Sequence, residues 1–324
     1  MTLNPLTTAS VTTDSADNLD LARREFRARL IEAGLLLPTG IDGLYGRSGV
    51  FESTIEGIDH AVRRAGEAAH GDRPRVLRFP PIIPRMAFEK TDYIASFPNL
   101  TGAVSTFVGD NKQHRELLAD REAGLPWDGH LSPAGTMLVS AACHSAYAGL
   151  SGTLPDGDGV IIDVYGYCFR HEPSEDPARM QAFRMHEYLY VGDPDGAAQH
   201  RESWVPRGQE VLADLGLEAH DVPANDPFFG RAGRMLAANQ LEENLKTELV
   251  VRLYGDLDSG TAVVSSNCHH DHFGERFAIR TADGELAHSA CVAFGMERIA
   301  LALFAKNGLD PSTWPTPVRT ALGW

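Results

Sequence analysis

In the last third of the chain the apolar residues Met296, Ile299, Ala300, Leu303 and Phe304 recur at i, i+3, i+4, i+7 and i+8. This is one stripe of a helix that must pack on something. The same periodicity predicts a helix over Leu19 to Ala33 and another over Thr54 to Ala69, with Ile55, Ile58, Ala61, Val62 and Ala65 on its apolar face. Further helices are predicted from Ala197 to Leu215 and from about Met235 to Asn244. Strands are marked by β-branched and aromatic runs: Arg75 to Phe79 closing on Pro80-Pro81, Val160 to Phe169, Met180 to Val191, Glu248 to Tyr254, and Thr261 to Ser266. Pro173 to Pro177 is charged turn chemistry, so the second and third of these strands are predicted to form a long hairpin whose loop can fold over a ligand.

Within Met180 to Val191, Phe183, Met185, Glu187 and Leu189 share parity, which puts an aromatic plate and a carboxylate on one face. Arg298 falls in the first turn of the C-terminal helix, where a cation opposes the helix dipole. A polyphosphate would resolve that conflict, and Arg170, at the end of the Val160 strand, is the second candidate for one.

These residues carry a resemblance. Phe169 through Arg179 and Phe183 to Glu187 resembles motif 2 of class II aminoacyl-tRNA synthetases, and Cys291-Val-Ala-Phe-Gly-Met-Glu-Arg298 resembles motif 3. The helix from Thr54 and the strand closing on proline are similar to motif 1, the usual dimer element. Phrases such as Gly43-Leu-Tyr-Gly-Arg-Ser-Gly49 and Asn225-Asp-Pro-Phe-Phe-Gly230 resemble a narrower group, the amino acid:[carrier protein] ligases, shortened relatives of methanogen-type seryl-tRNA synthetases. The match runs from about residue 20 to the end. It implies an α+β fold with an antiparallel sheet flanked by helices, one catalytic domain over 19–324 and a helical insertion at about 197–245, behind a flexible tail at 1–18.

The resemblance also implies chemistry. The carboxylate of a small amino acid (Gly, Ala or Ser) would attack ATP, with Mg2+ bridging phosphates, and the aminoacyl group would pass from the adenylate to the phosphopantetheine thiol of a carrier protein. Arg170 and Arg298 are the expected catalytic cations; Glu172, Arg179, Phe183, Lys246 and Glu248 are expected at the nucleotide, and Glu187 and Asn267 at the amino acid. Cys143, Glu187 and Cys291 resemble a zinc triad; their sequence spacing fits no local finger, and Cys268 with His269, His270 and His272 is a rival cluster. Cys168 reads as packing.

Composition narrows the partners. A net charge of −15 over 324 residues gives no electrostatic footprint for tRNA. Arg201, Arg207, Arg231 and Arg234 are candidates for a carrier-docking patch in the insertion, although acidic residues are interleaved with them. Four cysteines without paired spacing and no N-terminal apolar run predict a cytoplasmic protein with no membrane span. A homodimer is expected from the motif 1 likeness. The alternatives are seryl-tRNA synthetase-like tRNA aminoacylation and a non-catalytic regulatory paralogue.

Overall fold

The computed structural model describes residues 9–155, 157, 159–226, 229, 240 and 245–324, with side chains described from residue 17. A seven-stranded sheet organises the chain. Its strands are β1 (Arg75–Leu77), β2 (Val160–Phe169), β3 (Ala182–Gly192), β4 (His220–Pro223), β5 (Lys246–Val251), β6 (Thr261–His270) and β7 (His288–Gly295). They lie in the order β4-β5-β6-β7-β3-β2-β1, antiparallel throughout except that β1 joins parallel to β2. The α+β expectation holds. The β2–β3 hairpin pairs from Val160↔Val191 to Phe169↔Ala182, as its turn chemistry predicts.

Strand alternation divides the core in two. Tyr188, Val292 and Phe294 point to one face, where they meet α1 (Ala9–Glu32), α2 (Gly49–His70), α3 (Pro194–Asp214) and α4 (Met296–Asn307). Leu189 and Cys291 point to the other, into a layer of short helices and irregular chain that includes Phe88, Tyr147, Phe273 and Phe277. The predicted stripe of α4 is wholly inside, with Met296, Ile299, Ala300, Leu303 and Phe304 all at most 1% exposed. Each large apolar side chain so buried contributes about 1.5–3 kcal/mol.

Local signals set the helix ends. Ser48 caps α2 by accepting from the Phe51 N–H at 3.2 Å, and Asp193 caps α3 by accepting from the Gly196 N–H at 2.8 Å, with Pro194 at the first turn. Gly66 lets α2 close on the sheet, since a Cβ there would fall 1.9 Å from the Tyr188 hydroxyl.

Several expectations on boundaries change, β5 ending at Val251 short of Tyr254 and β6 running past Ser266 to His270. The helix expected from Leu19 starts at Ala9, so residues 9–18, expected as tail, are helical; extending a formed helix adds a hydrogen bond per residue at little entropic cost. The strand expected to reach Phe79 stops at Leu77. His220–Pro223, expected within the helical insertion, pairs with β5 at the sheet edge, where a proline is tolerated. The helix expected from Met235 to Asn244, and Arg231 and Arg234, lie outside the described residues, apart from Gln240. Among the described residues no helix is long and apolar enough to cross a membrane.

Candidate active site

A cavity of about 610 Å³ opens on the second face of the sheet. Alternation presents Phe183, Met185 and Glu187 from β3, Ser265, Asn267 and His269 from β6, and Cys291 and Ala293 from β7. The chain just beyond β2 adds Arg170 and Glu172, and the first turn of α4 adds Arg298.

At the closed end, one ligand atom each from Cys143, Glu187 and Cys291 lie within 4.8 Å of one another, all buried. Three distant segments are brought together here: the turn before the short helix His144–Tyr147, β3 and β7. Tetrahedral zinc with sulfur ligands at about 2.3 Å separates its sulfurs by about 3.8 Å, and two thiols and a carboxylate within 4.8 Å of one another are a donor set of the kind that ion takes. Glu187 Oε1 accepts backbone N–H groups of Ala142 at 2.8 Å and Cys143 at 3.3 Å. Burial, and then the charge of Cys291, push the Glu187 carboxyl up to about 7. The Cys143 thiol, donating toward Cys291, is driven well up, and Cys291 well down, because its sulfur collects the Cys143 thiol, His269 Nε2 at 3.7 Å and Asn267 Nδ2 at 3.6 Å. Three acidic groups crowded out of water form a site whose charge a cation would neutralise.

The open end is cationic. Arg170 Nε donates to the Ser140 carbonyl at 3.2 Å and its guanidinium lies 5.6 Å from the Phe183 ring centroid. Arg298 donates Nε to Ala178 O at 2.9 Å and NH1 to Ala262 O at 3.0 Å. Neither has a carboxylate within ion-pair distance among the described residues, so both are held in place without being neutralised. Burial first, and then the positive charges of Arg170 and Arg179, lower the Arg298 pKa, as expected where cations await an anion.

Three expected nucleotide residues stand differently. Arg179 does not line the cavity; 53% exposed, it sits at the outer edge of the β2–β3 loop, with NH1 3.7 Å from Glu172, because its neighbour Ala178 takes the inward position. Lys246 and Glu248 do line it, but Lys246 Nζ is 3.0 Å from Glu248 and pairs also with Asp226, so its charge is spent internally. The rival cluster does not converge: Cys268, His269 and His272 all border the cavity, but among the described residues Cys143, Glu187 and Cys291 form the metal-capable group. Cys168 is packing, 2% exposed.

Sequence reasoning passed over His144 and Asp226, which also line the cavity, and placed His269 only in the rival cluster. For His269 the signal was present, since it shares parity with Asn267. Its Nδ1 lies 3.1 Å from Ser289 Oγ, which fixes the ring beside Cys291.

No protein-family model matches the chain. Amino acid–[acyl-carrier-protein] ligase 1 of Bradyrhizobium diazoefficiens is 42% identical over 286 residues, 88% of this chain and 86% of that protein. Ligase 2 of the same organism is 42% identical over 88% of this chain and 84% of its own length. The type-2 serine–tRNA ligase of Methanopyrus kandleri is 25% identical over 74% of the chain, which spans about half of it (49%). In crystal structures the fold matches M. kandleri seryl-tRNA synthetase in complex with an A. aeolicus tRNASec, with TM-score 0.76 and 21% identity over 93% of this chain and 60% of that one. It also matches seryl-tRNA synthetase of Pyrococcus horikoshii complexed with ATP, with TM-score 0.64 and 14% identity over 92% and 62%.

Proposed function

The chain belongs to the amino acid–[acyl-carrier-protein] ligase family, and from that premise we propose that the cavity activates a small amino acid (Gly, Ala or Ser) with ATP and passes it to a carrier-protein thiol. The observation that carries this reading is that one cavity holds the Cys143–Glu187–Cys291 group at one end and the Arg170 and Arg298 guanidinium groups at the other. An α-amino acid has an amine and a carboxylate one carbon apart, and a cavity with these two ends takes both at once.

Activation joins a carboxylate oxygen to the α-phosphorus and expels pyrophosphate, so it gains most from positioning and from cations where negative charge gathers. Arg170, fixed by Ser140 O, serves the α-phosphate and the carboxylate, and Arg298 the far phosphates. Phe183, on whose ring Arg170 packs, is the plate for adenine. Glu172 flanks the nucleotide, while the exposed Arg179 reaches it only through movement of the loop. Asn267, beside Cys291, faces the substrate side chain. Cys143, Glu187 and Cys291 would hold Zn2+, whose vacant position supplies a Lewis-acidic seat for a neutral amine; Mg2+ would accompany the phosphates. In the second step the carrier's pantetheine thiol attacks the carbonyl carbon and AMP leaves, which asks only for access and alignment.

The remaining parts of this reading are coarser. Carrier docking is assigned to the surface around α3. A homodimer is favoured by the exposed apolar residues Val76 (60%) on β1 and Met86 (78%) on the short helix Arg85–Lys90. A net charge of −15 disfavours tRNA, and a cytoplasmic setting agrees with four free cysteines. The test is ATP–pyrophosphate exchange over twenty amino acids, followed by mass measurement of a holo-carrier protein. Exchange with small amino acids and a matching mass gain are expected; serine transferred to tRNA instead would replace this reading.

A further inference from the structure

One buried carboxylate outside the cavity ties three segments of the chain together. Asp176, 7% exposed, lies in the loop between β2 and β3. Its Oδ2 stands 3.1 Å from Nε of Arg23 on α1, and its Oδ1 accepts both the Tyr254 hydroxyl and the Ala178 backbone N–H, the latter at 2.9 Å. Tyr254 lies just past β5; Phe26 of α1 meets its ring edge-on at 6.2 Å, and the Arg23 guanidinium sits 5.8 Å from its centroid. A buried carboxylate is tolerated only while its partners stay. The three segments are thereby held in one arrangement.

That arrangement leads to Arg298. The carbonyls that aim its guanidinium belong to Ala178, bonded to Asp176, and to Ala262, at the start of β6 beyond the Tyr254 turn. They therefore sit on the two segments that Asp176 joins. The other flank of the loop rests on the turn before α2: Gln181 N–H donates to Gly43 O at 2.8 Å and Gln181 Nε2 to Asp42 O at 2.7 Å, while Arg27 of α1 pairs with Asp42 at 3.1 Å. Gly43, at φ +77°, lies so close that a Cβ would stand 3.1 Å from Arg179 O.

We propose that Asp176, with Arg23 and Tyr254, is a positioning residue for ATP: it sets the separation between the loop and β6 that aims Arg298, so α1 belongs to the nucleotide site although none of its described side chains lines the cavity. This rests on the reading of the cationic end as the ATP end.

Calorimetric ATP affinity and hydrogen–deuterium exchange over residues 170–182 of the full chain test it. Asp176→Asn should weaken ATP by about tenfold, the scale of one lost charge-assisted bond, while the amino-acid KM stays within about twofold. Loop exchange should quicken, and Arg23→Lys should recover most of the affinity lost in Arg23→Ala. Tyr254→Phe, which removes one hydroxyl only, gives the same direction should the aspartate variant fold poorly. Unchanged loop exchange, unchanged ATP affinity, or equal loss of ATP and amino-acid binding would each overturn the lock. Wild-type protein that binds ATP but activates no amino acid would sink the functional reading and leave the affinity comparison to judge the lock; failure to bind ATP would overturn both.

Discussion

The two faces of β3 carry the same kinds of side chain in opposite electrostatic states. On the helix side, Arg184 is 6% exposed, with Nε 2.8 Å from Glu297 and a second pairing to Glu52, and His186 sits between Asp59 and Asp163. On the cavity side, Glu187 shares its buried corner with two cysteines, and Arg170 and Arg298 are held by carbonyls and an aromatic ring, with Glu172, Asp226 and Glu248 in the same cavity but, among the described residues, no carboxylate within ion-pair distance. Charges that are paired internally stabilise a packing; charges held rigidly and left unpaired are poised for a ligand. Burial alone does not separate the faces, since Arg184 and Glu187 are equally inside. Pairing does.

The largest expected effect comes from breaking the unpaired face. Glu187→Gln or Cys291→Ala should take amino-acid activation to background and metal content from one ion per chain to none, with the unfolding midpoint of the metal-free protein preserved or raised. Chelation of the wild type should do the same reversibly, zinc restoring exchange. Arg170→Ala and Arg298→Ala should each lower exchange by about 10²–10³-fold, as for other groups that meet developing charge. Lysine should rescue neither fully, because the planar fork is what the carbonyls orient. Retained activity in either alanine variant would mean that the cationic end is not the nucleotide end.

How much of this could be read from residue order depends on the range of the interaction. Parity along β3 predicts Phe183, Met185 and Glu187 on one face because alternation is local, and the stripe of α4 places Arg298 in its first turn for the same reason. The likeness to motifs 2 and 3 supplied the pairing of Arg170 with Arg298, which no periodicity could. Long-range facts stayed hidden. That Lys246 is neutralised by Asp226 and Glu248 requires the closure of a twenty-residue excursion, and that Arg179 faces outward depends on how the loop seats on Gly43. His220–Pro223 falls inside the span expected as a helical insertion because it is short and proline-ended, both of which are edge-strand properties.

On the paired face the same surgery at Arg184, which does not line the cavity, should cost stability and spare chemistry, whereas Glu297 also borders the cavity beside Arg298. Arg184→Ala takes one of two arginines from Glu52 and Glu297, leaving Arg47 at 3.0 and 3.5 Å from them, and should destabilise by about 1.5–3 kcal/mol, the scale of a lost charge-assisted hydrogen bond. Replacing Arg184 by Met and Glu297 by Leu together should return much of that loss, because no lone charge remains buried. Urea midpoints measure both. An exchange KM for ATP that rose as steeply as in Arg298→Ala would blur the distinction between the faces.

The smallest effect, and the one that sharpens the comparison most, is a pH slope. Burial opposes charge on His186, yet Asp163 and Asp59 outweigh it and hold its pKa above the usual histidine value. Its stabilisation is therefore complete below the unfolded value of about 6.5 and is lost as pH rises through the folded one. Burial raises Glu187 to about 7, so the metal-free protein also loses stability on the cavity side as pH climbs, but between about 4.3, the unfolded value, and that point. Urea midpoints across pH 4 to 9 should thus carry two declining contributions in metal-free protein, offset in part by Cys291, whose depressed thiol adds stability as pH rises toward its unfolded value of about 8.5. Glu187→Gln should remove the lower one and His186→Gln the upper, while zinc, which needs the carboxylate ionised, should abolish the lower contribution alone. A single slope that responds to both substitutions would show that the faces are coupled, and the division drawn from their pairing would have to be given up.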